Sequence, residues 1–121
     1  MSGPILTVDD SKAVRDLVRF TLEAEGFRVV EAENGQQALD RLRAERPSMV
    51  ITDLNMPVMN GIDFIRSARG EAAGSGVPIV MLTTETAPEM KAQGKEAGAT
   101  GWINKPFDAD KLVAVTRKLL G

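Results

Sequence analysis

Two residue types that carry much of protein chemistry are missing: none of the 121 residues is cysteine or histidine. Without cysteine there are no disulfides and no thiolate metal sites, a composition compatible with a reducing compartment. Without histidine, no Ser-His-Asp triad, imidazole metal site or phosphohistidine carrier can be built from this chain. No apolar run approaches the roughly 18 residues of a membrane-spanning helix, and Met1-Ser2-Gly3-Pro4 lacks the pattern of a signal peptide. Charge of one sign is not in excess either. The formal net charge is -2, which offers no footing for nucleic-acid or anionic-membrane binding. A cytoplasmic protein is expected. With 43% hydrophobic and 26% charged residues, the composition is that of a soluble globular domain long enough to bury a core.

Within that composition, short apolar runs alternate with amphipathic stretches. Ile5 to Val8 reads as a first strand, ended by Asp9 and Asp10. From Ser11 to Glu25, Val14, Leu17, Val18, Thr21 and Leu22 recur at spacings of three and four, predicting a helix with Gly26 as its C-terminal cap. Phe27 to Ala32 predicts a second strand, and Asn34-Gly35 opens a helix with Ala38, Leu39 and Leu42 inward, ending before Pro47. Met49 to Asp53 is the third strand and Gly61 to Arg69 a third helix. Gly70 to Val77 reads as a mobile loop of small residues before a fourth strand, Pro78 to Thr83. A fourth helix follows, with Thr86 as cap, Pro88 in the first turn and Gly94 inside it at a cost of roughly 1 kcal/mol against Ala. Gly101 to Asn104 is the fifth strand, and Asp108 opens a last helix through Leu119 with Leu112, Val113, Val115, Thr116 and Leu119 available for packing. This alternation implies an α/β domain: a five-stranded parallel sheet, doubly wound, with helices on both faces and right-handed crossovers.

Parallel strands end on one edge, and there the chemistry gathers. Asp9 and Asp10 follow the first strand, Asp53 the third, Thr83 the fourth and Lys105 the fifth. Ligands of open α/β sheets bind at that carboxyl edge. Taken singly, each residue has an ordinary explanation: a turn, a helix cap, a surface lysine. Together they place complementary groups from four elements on one edge. Three crowded carboxylates repel, and their pKa values rise unless a cation lies among them. Oxygen ligands without imidazole or thiolate favour Mg²⁺ or Mn²⁺ over Zn²⁺. Three carboxylates, one divalent metal and the Lys105 ammonium sum to zero charge, so a dianionic phosphoryl group on Asp53 leaves the site one unit negative. Asp53 is then the nucleophile, forming an acyl phosphate, with Lys105 and the Thr83 hydroxyl on phosphoryl oxygens.

Val8-Asp9-Asp10-Ser11, Asp53-Leu54-Asn55-Met56-Pro57 with Met59-Asn60-Gly61, Leu82-Thr83-Thr84-Glu85 and Lys105-Pro106-Phe107 occur in that order. With these stretches the chain resembles the receiver domains of two-component response regulators from about Ile5 to Leu119, most closely single-domain chemotaxis regulators of the CheY type. The resemblance implies the flavodoxin-like strand order 2-1-3-4-5. It implies one receiver domain over residues 1–121 with no output domain, a signalling protein and not an enzyme. Asp53 matches the phosphoacceptor; Asp10 and Asp53 match direct metal ligands with the backbone carbonyl of Asn55, while Asp9 acts through metal-bound water. Thr83 matches the switch hydroxyl and Lys105 the phosphate-pairing lysine. Asn55 and Glu85 occupy the two positions that tune hydrolysis. The implied donor is the phosphohistidine of a sensor kinase, here of the chemotaxis type (CheA-like). The implied target is the flagellar motor switch or another effector, with room for a phosphatase, and the chain is expected to be a monomer.

Trp102 departs from the family, which most often has Tyr or Phe there. The expected behaviour is a part-exposed rotamer switch that turns as Thr83 moves inward, remodelling the face of the fourth helix, fifth strand and fifth helix. Core packing is the competing reading. A flavodoxin-like electron carrier would need a Ser/Thr/Gly-rich first loop where Asp9-Asp10 stands. A haloacid-dehalogenase-type phosphatase would need a second acid where Asn55 stands. A receiver serving as phosphate sink, phosphorelay intermediate or regulator of another enzyme fits the same residues.

Overall fold

The computed structural model describes residues 3–120. Its elements are β1 (Ile5–Val8), α1 (Lys12–Glu23), β2 (Val29–Ala32), α2 (Gly35–Glu45), β3 (Met49–Thr52), α3 (Gly61–Arg69), β4 (Ile79–Thr83), α4 (Pro88–Ala97), β5 (Gly101–Asn104) and α5 (Ala109–Leu120). The strands form one parallel sheet in the order β2-β1-β3-β4-β5. This is the flavodoxin-like order expected from the resemblance.

The apolar strands are buried on both faces because successive residues point to opposite sides. Leu6, Val50, Ile79 and Met81 pack with Leu39, Leu42, Phe64 and Ile65 of α2 and α3. Ile5, Ile51, Val80, Leu82 and Ile103 pack with Val18 and Leu22 of α1 and Leu112 of α5. A side chain such as Phe64 or Leu42, fully enclosed, contributes roughly 1.5–3 kcal/mol by leaving water.

Polar residues set the helix starts. Ser11 Oγ accepts from Val14 N–H (3.3 Å), Asn34 Oδ1 from Gln37 N–H (2.9 Å) and Asn60 Oδ1 from Asp63 N–H (2.9 Å). Four expectations are revised. Helix α1 ends at Glu23 with Ala24 as its cap, and Gly26, at φ +91°, makes the turn beyond. Strand β2 begins at Val29 and not Phe27, since its pairing with β1 starts where Ile5 meets Val29. Thr86 does not cap α4: Ala87 is the cap residue, and the Glu85 carboxylate accepts its N–H at 3.2 Å. The segment 70–77 is anchored where a mobile loop was expected. Arg69 donates to the carbonyls of Gly74 and Val77 (2.7 and 2.6 Å) and grips Gly98 O, and Glu71 takes two hydrogen bonds from Arg43. On α1, Leu17 lies outward at 54% exposure while Arg15 takes an inward position.

Candidate functional site

Sheet register builds the site. Val8 of β1 lies opposite Thr52 of β3, so the residues that follow, Asp9 and Asp53, leave the sheet side by side. Backbone bonds hold that exit: Asp53 N–H donates to Val8 O (2.9 Å) and Asp9 N–H to Ala32 O (3.1 Å). Asp10 joins them at the surface, and one carboxylate oxygen from each of Asp9, Asp10 and Asp53 lies within 4.8 Å of the others. Across the sheet, Thr83 pairs with Asn104, and Lys105 N–H then donates to Thr83 O (3.0 Å). The lysine is thereby aimed back over the acids. Its Nζ lies 2.7 Å from Asp9 Oδ2 and 3.2 Å from Asp53 Oδ2.

Asp9 and Asp53 are buried and Asp10 is exposed. Burial pushes the Asp9 carboxyl above the ordinary aspartate range, against hydrogen bonds from Lys105 and Ser11 N–H that favour its charge; repulsion from Asp53 is the weakest contributor. Crowding of the acids is thus real, but loss of water raises the Asp9 pKa more than repulsion from Asp53 does. Burial of Lys105 works to lower its pKa, yet its hydrogen bond to Asp9 and its attraction to both acids hold it above the ordinary lysine value. Asp53 is positioned further by Leu54 N–H, which donates to its Oδ1 at 2.7 Å. Behind it, α3 approaches so closely that a Cβ on Gly61 would lie 2.2 Å from Asp53 O. Only glycine fits there, which gives the Asn60-Gly61 pair its meaning: a cap followed by a close approach.

Asn55 is exposed at the mouth of the site, two residues beyond Asp53. The buried Thr83 hydroxyl oxygen accepts from Glu85 N–H (3.2 Å). Glu85 O in turn accepts from the indole N–H of Trp102 (3.2 Å). Trp102 is half-buried against the α2–α3 core, its ring against Gly94 and Lys91 Nζ 5.9 Å from the ring centre. The structure therefore joins Asp9, Asp10, Asp53 and Lys105 in one cluster, and links Thr83, Glu85 and Trp102 in a chain leading away from it. Hard oxygen donors this close, without imidazole or thiolate, suit a divalent cation of the Mg²⁺ or Mn²⁺ kind.

Sequence reasoning passed over Arg15. Its guanidinium, on the inner face of α1, donates to Asp9 O (2.7 Å) and to Glu31 Oε1 (2.9 Å). The available signal was its place one residue after Val14 and three before Val18 on a stripe otherwise apolar. Arg69, which ties α3, the 70–77 segment and the end of α4, was likewise missed.

The family model described as response regulator receiver domain matches residues 5–117. The DNA-binding response regulator MtrA of Mycolicibacterium paratuberculosis is 44% identical over 120 residues, covering 99% of this chain and 52% of that protein. Response regulator MprA of Mycobacterium tuberculosis is 38% identical, covering 99% of this chain and 51% of MprA. The chain thus spans about half the length of these curated relatives. The solved chemotaxis response regulator CheY4 of Vibrio cholerae matches with a TM-score of 0.91 and 41% identity, over 99% of this chain and 100% of that one. No helix among the described residues is long and apolar enough to cross a membrane. Matched by the family over nearly its whole length, and carrying the acid cluster and lysine at the strand ends, the chain belongs to the receiver domains of two-component response regulators.

Proposed function

We propose that Asp53 accepts a phosphoryl group from the phosphohistidine of a sensor histidine kinase and that the modification switches the α4–β5–α5 face. A carboxylate oxygen of Asp53 forms a bond to phosphorus as the bond from phosphorus to the donor imidazole breaks, leaving an acyl phosphate and a free imidazole. Asp10, Asp53 and the Asn55 carbonyl would hold Mg²⁺ directly and Asp9 through water; the ion, when bound, neutralises charge on the phosphoryl oxygens. The Lys105 ammonium, now between Asp9 and Asp53, pairs with a phosphoryl oxygen. The Thr83 hydroxyl donates to another, drawing β4 toward the site and disturbing its link through Glu85 to Trp102. Asn55 and Glu85 flank the phosphoryl group and set its lifetime.

One observation carries this reading: β1–β3 register delivers two acids together under a lysine held by the neighbouring strand ends. The test is intact mass after incubation with Mg²⁺ and acetyl phosphate. One added phosphoryl group is expected in the wild type, and none in Asp53→Asn or in EDTA. Equal modification of Asp53→Asn would move the acceptor elsewhere.

A groove of about 240 Å³ at α4–β5, lined by Lys91, Lys95, Ala99, Thr100, Gly101 and Trp102, offers the switched face a docking place with two lysines at its rim. The likeness to a chemotaxis regulator over the whole of that chain supports a CheA-like kinase as donor and the flagellar motor switch as target. A second reading draws on MtrA, 44% identical and named for DNA binding: the same chemistry would feed another output, as a phosphate sink, relay intermediate or regulator of a different effector. Capture on the beryllofluoride-loaded protein separates the two, a motor switch component supporting the first.

A further inference from the structure

We infer that Arg15 is a positioning residue for the divalent cation, holding the Asp9–Asp10 peptide in the orientation that turns both acids toward the site. The inference rests on the proposed reading of Asp9, Asp10 and Asp53 as the cation site.

Asp9 O and Asp10 N belong to one planar peptide unit, so fixing the carbonyl fixes the direction in which the chain enters Asp10. Arg15 Nη1 grips that carbonyl at 2.7 Å in a buried contact. The two other backbone restraints on this turn act on the Asp9 side: its N–H bonds to Ala32 O, and its Oδ1 accepts from Ser11 N–H at 2.9 Å. Asp10 itself is exposed, and its aim is inherited from the peptide that Arg15 holds. The guanidinium is held in turn. Glu31 accepts Arg15 Nε at 2.9 Å, and its second oxygen lies 3.3 Å from Arg19 Nε. Glu31 sits on β2 opposite Thr7 of β1, so the brace runs from sheet to guanidinium to the acid turn.

A mere staple between α1 and β2 would show the same ion pair, and metal choice tells the two apart. Mg²⁺ demands near-ideal octahedral geometry at short distances, whereas Ca²⁺ accepts flexible coordination. Loosening the acid turn should therefore penalise Mg²⁺ more than Ca²⁺, while a loss of stability alone would lower both equally or neither. Isothermal titration of the full chain with each ion, at fixed ionic strength and with thermal melts alongside, reads this difference. Arg15→Gln is expected to weaken Mg²⁺ binding on the order of tenfold and Ca²⁺ binding only a few-fold. Arg15→Lys, which keeps a donor for Asp9 O, should recover part of the Mg²⁺ affinity. Glu31→Gln should shift the Mg²⁺/Ca²⁺ ratio in the same direction by less, and it decides the matter if Arg15→Gln does not fold. Unchanged Mg²⁺ affinity in folded Arg15→Gln, a parallel fall for both ions, or an unmoved ratio in Glu31→Gln would each overturn the inference. A wild type that binds no Mg²⁺ would instead remove the reading beneath it.

Discussion

Replacing Gly94 by alanine sets two effects against each other whose sizes can be worked out beforehand. In an exposed helix interior, Gly→Ala is worth roughly 1 kcal/mol of added stability. Gly94 is not exposed: it is buried against the indole, and a Cβ there would lie 2.8 Å from Trp102 Cζ3. Something must shift, and the ring is the free partner because the other side of Gly94 is its own helix. Overpacking of this kind typically costs 1–3 kcal/mol. A displaced indole also loses its hydrogen bond to Glu85 O, about 1 kcal/mol. Set against the helix gain, the sum predicts a net loss of about 1–3 kcal/mol. Thermal melts would read the loss, and Trp102 emission, from the only tryptophan, would shift to the red as the ring moves outward. The same displacement severs the link from Thr83 through Glu85 to Trp102, so Gly94→Ala carrying a phosphoryl group should show a smaller change in Trp102 fluorescence than the wild type. A variant more stable than the wild type by about 1 kcal/mol, with unaltered emission, would refute the reasoning and return Gly94 to a simple helix defect.

Other expectations follow from the same geometry. Val58 is 81% exposed yet holds φ +70°, in a tight turn where Met59 N–H reaches Pro57 O at 2.7 Å; Val58→Gly should raise stability by about 1 kcal/mol, the strain removed exceeding glycine's added entropy cost, as a denaturant midpoint would show. Lys105→Ala strips both acids of their shared partner, so the metal-free variant should lose about 3 kcal/mol at neutral pH and recover much of it on adding Mg²⁺; acetyl phosphate should still modify it, but without the Trp102 response. Burial raises the folded-state pKa of Asp9, so its ionised form costs the metal-free fold stability above that raised value, and the cost disappears as pH falls below the ordinary aspartate value. Because the ion needs the carboxylate, Mg²⁺ affinity should begin to fall, with decreasing pH, above the range of an ordinary aspartate; calorimetric titrations showing no weakening until that range would contradict the assignment.

The fold was legible because a sheet covered on both faces writes itself as unbroken apolar runs, and Ile79 to Leu82 could hardly be anything else. Starts of helices were legible where a side chain does the capping, as at Ser11, Asn34 and Asn60. At α4 the cap comes from Glu85, which bonds Ala87 N–H from two residues earlier, so nothing at Thr86 or Ala87 marks the boundary. Gly70 to Val77 looked loose because its residues are small; what ties it down is the guanidinium of Arg69, the residue just before it, whose partners are carbonyls. Backbone acceptors carry no residue identity, and so no pattern of letters reveals them. Arg15 was hidden for the same reason, since its key contact is the Asp9 carbonyl. The acids and Lys105, by contrast, follow directly from the rule that parallel strands end together.

Lys105 also explains how one residue can report on the state of another. Its ammonium bridges the Asp9 and Asp53 carboxylates while its own main chain is bonded to Thr83 O. On the proposed mechanism a divalent ion among the acids would weaken the lysine's hold on them, and a phosphoryl group on Asp53 would supply new oxygens farther out to follow. Any such movement is felt on β4, because the backbone bond joins Lys105 to the residue whose hydroxyl accepts from Glu85. Glu85 carries the strain both to the start of α4, through Ala87 N–H, and to Trp102, through its carbonyl. At its far end α4 is clamped by Arg69 on Gly98 O. A helix fixed at one end and lightly held at the other turns a small displacement at its start into a tilt. On the proposed mechanism the phosphoryl signal therefore emerges at the N-terminal half of α4, beside Lys91 and the indole, where hydrogen exchange on phosphorylation should change most while the amides around Gly98 stay protected.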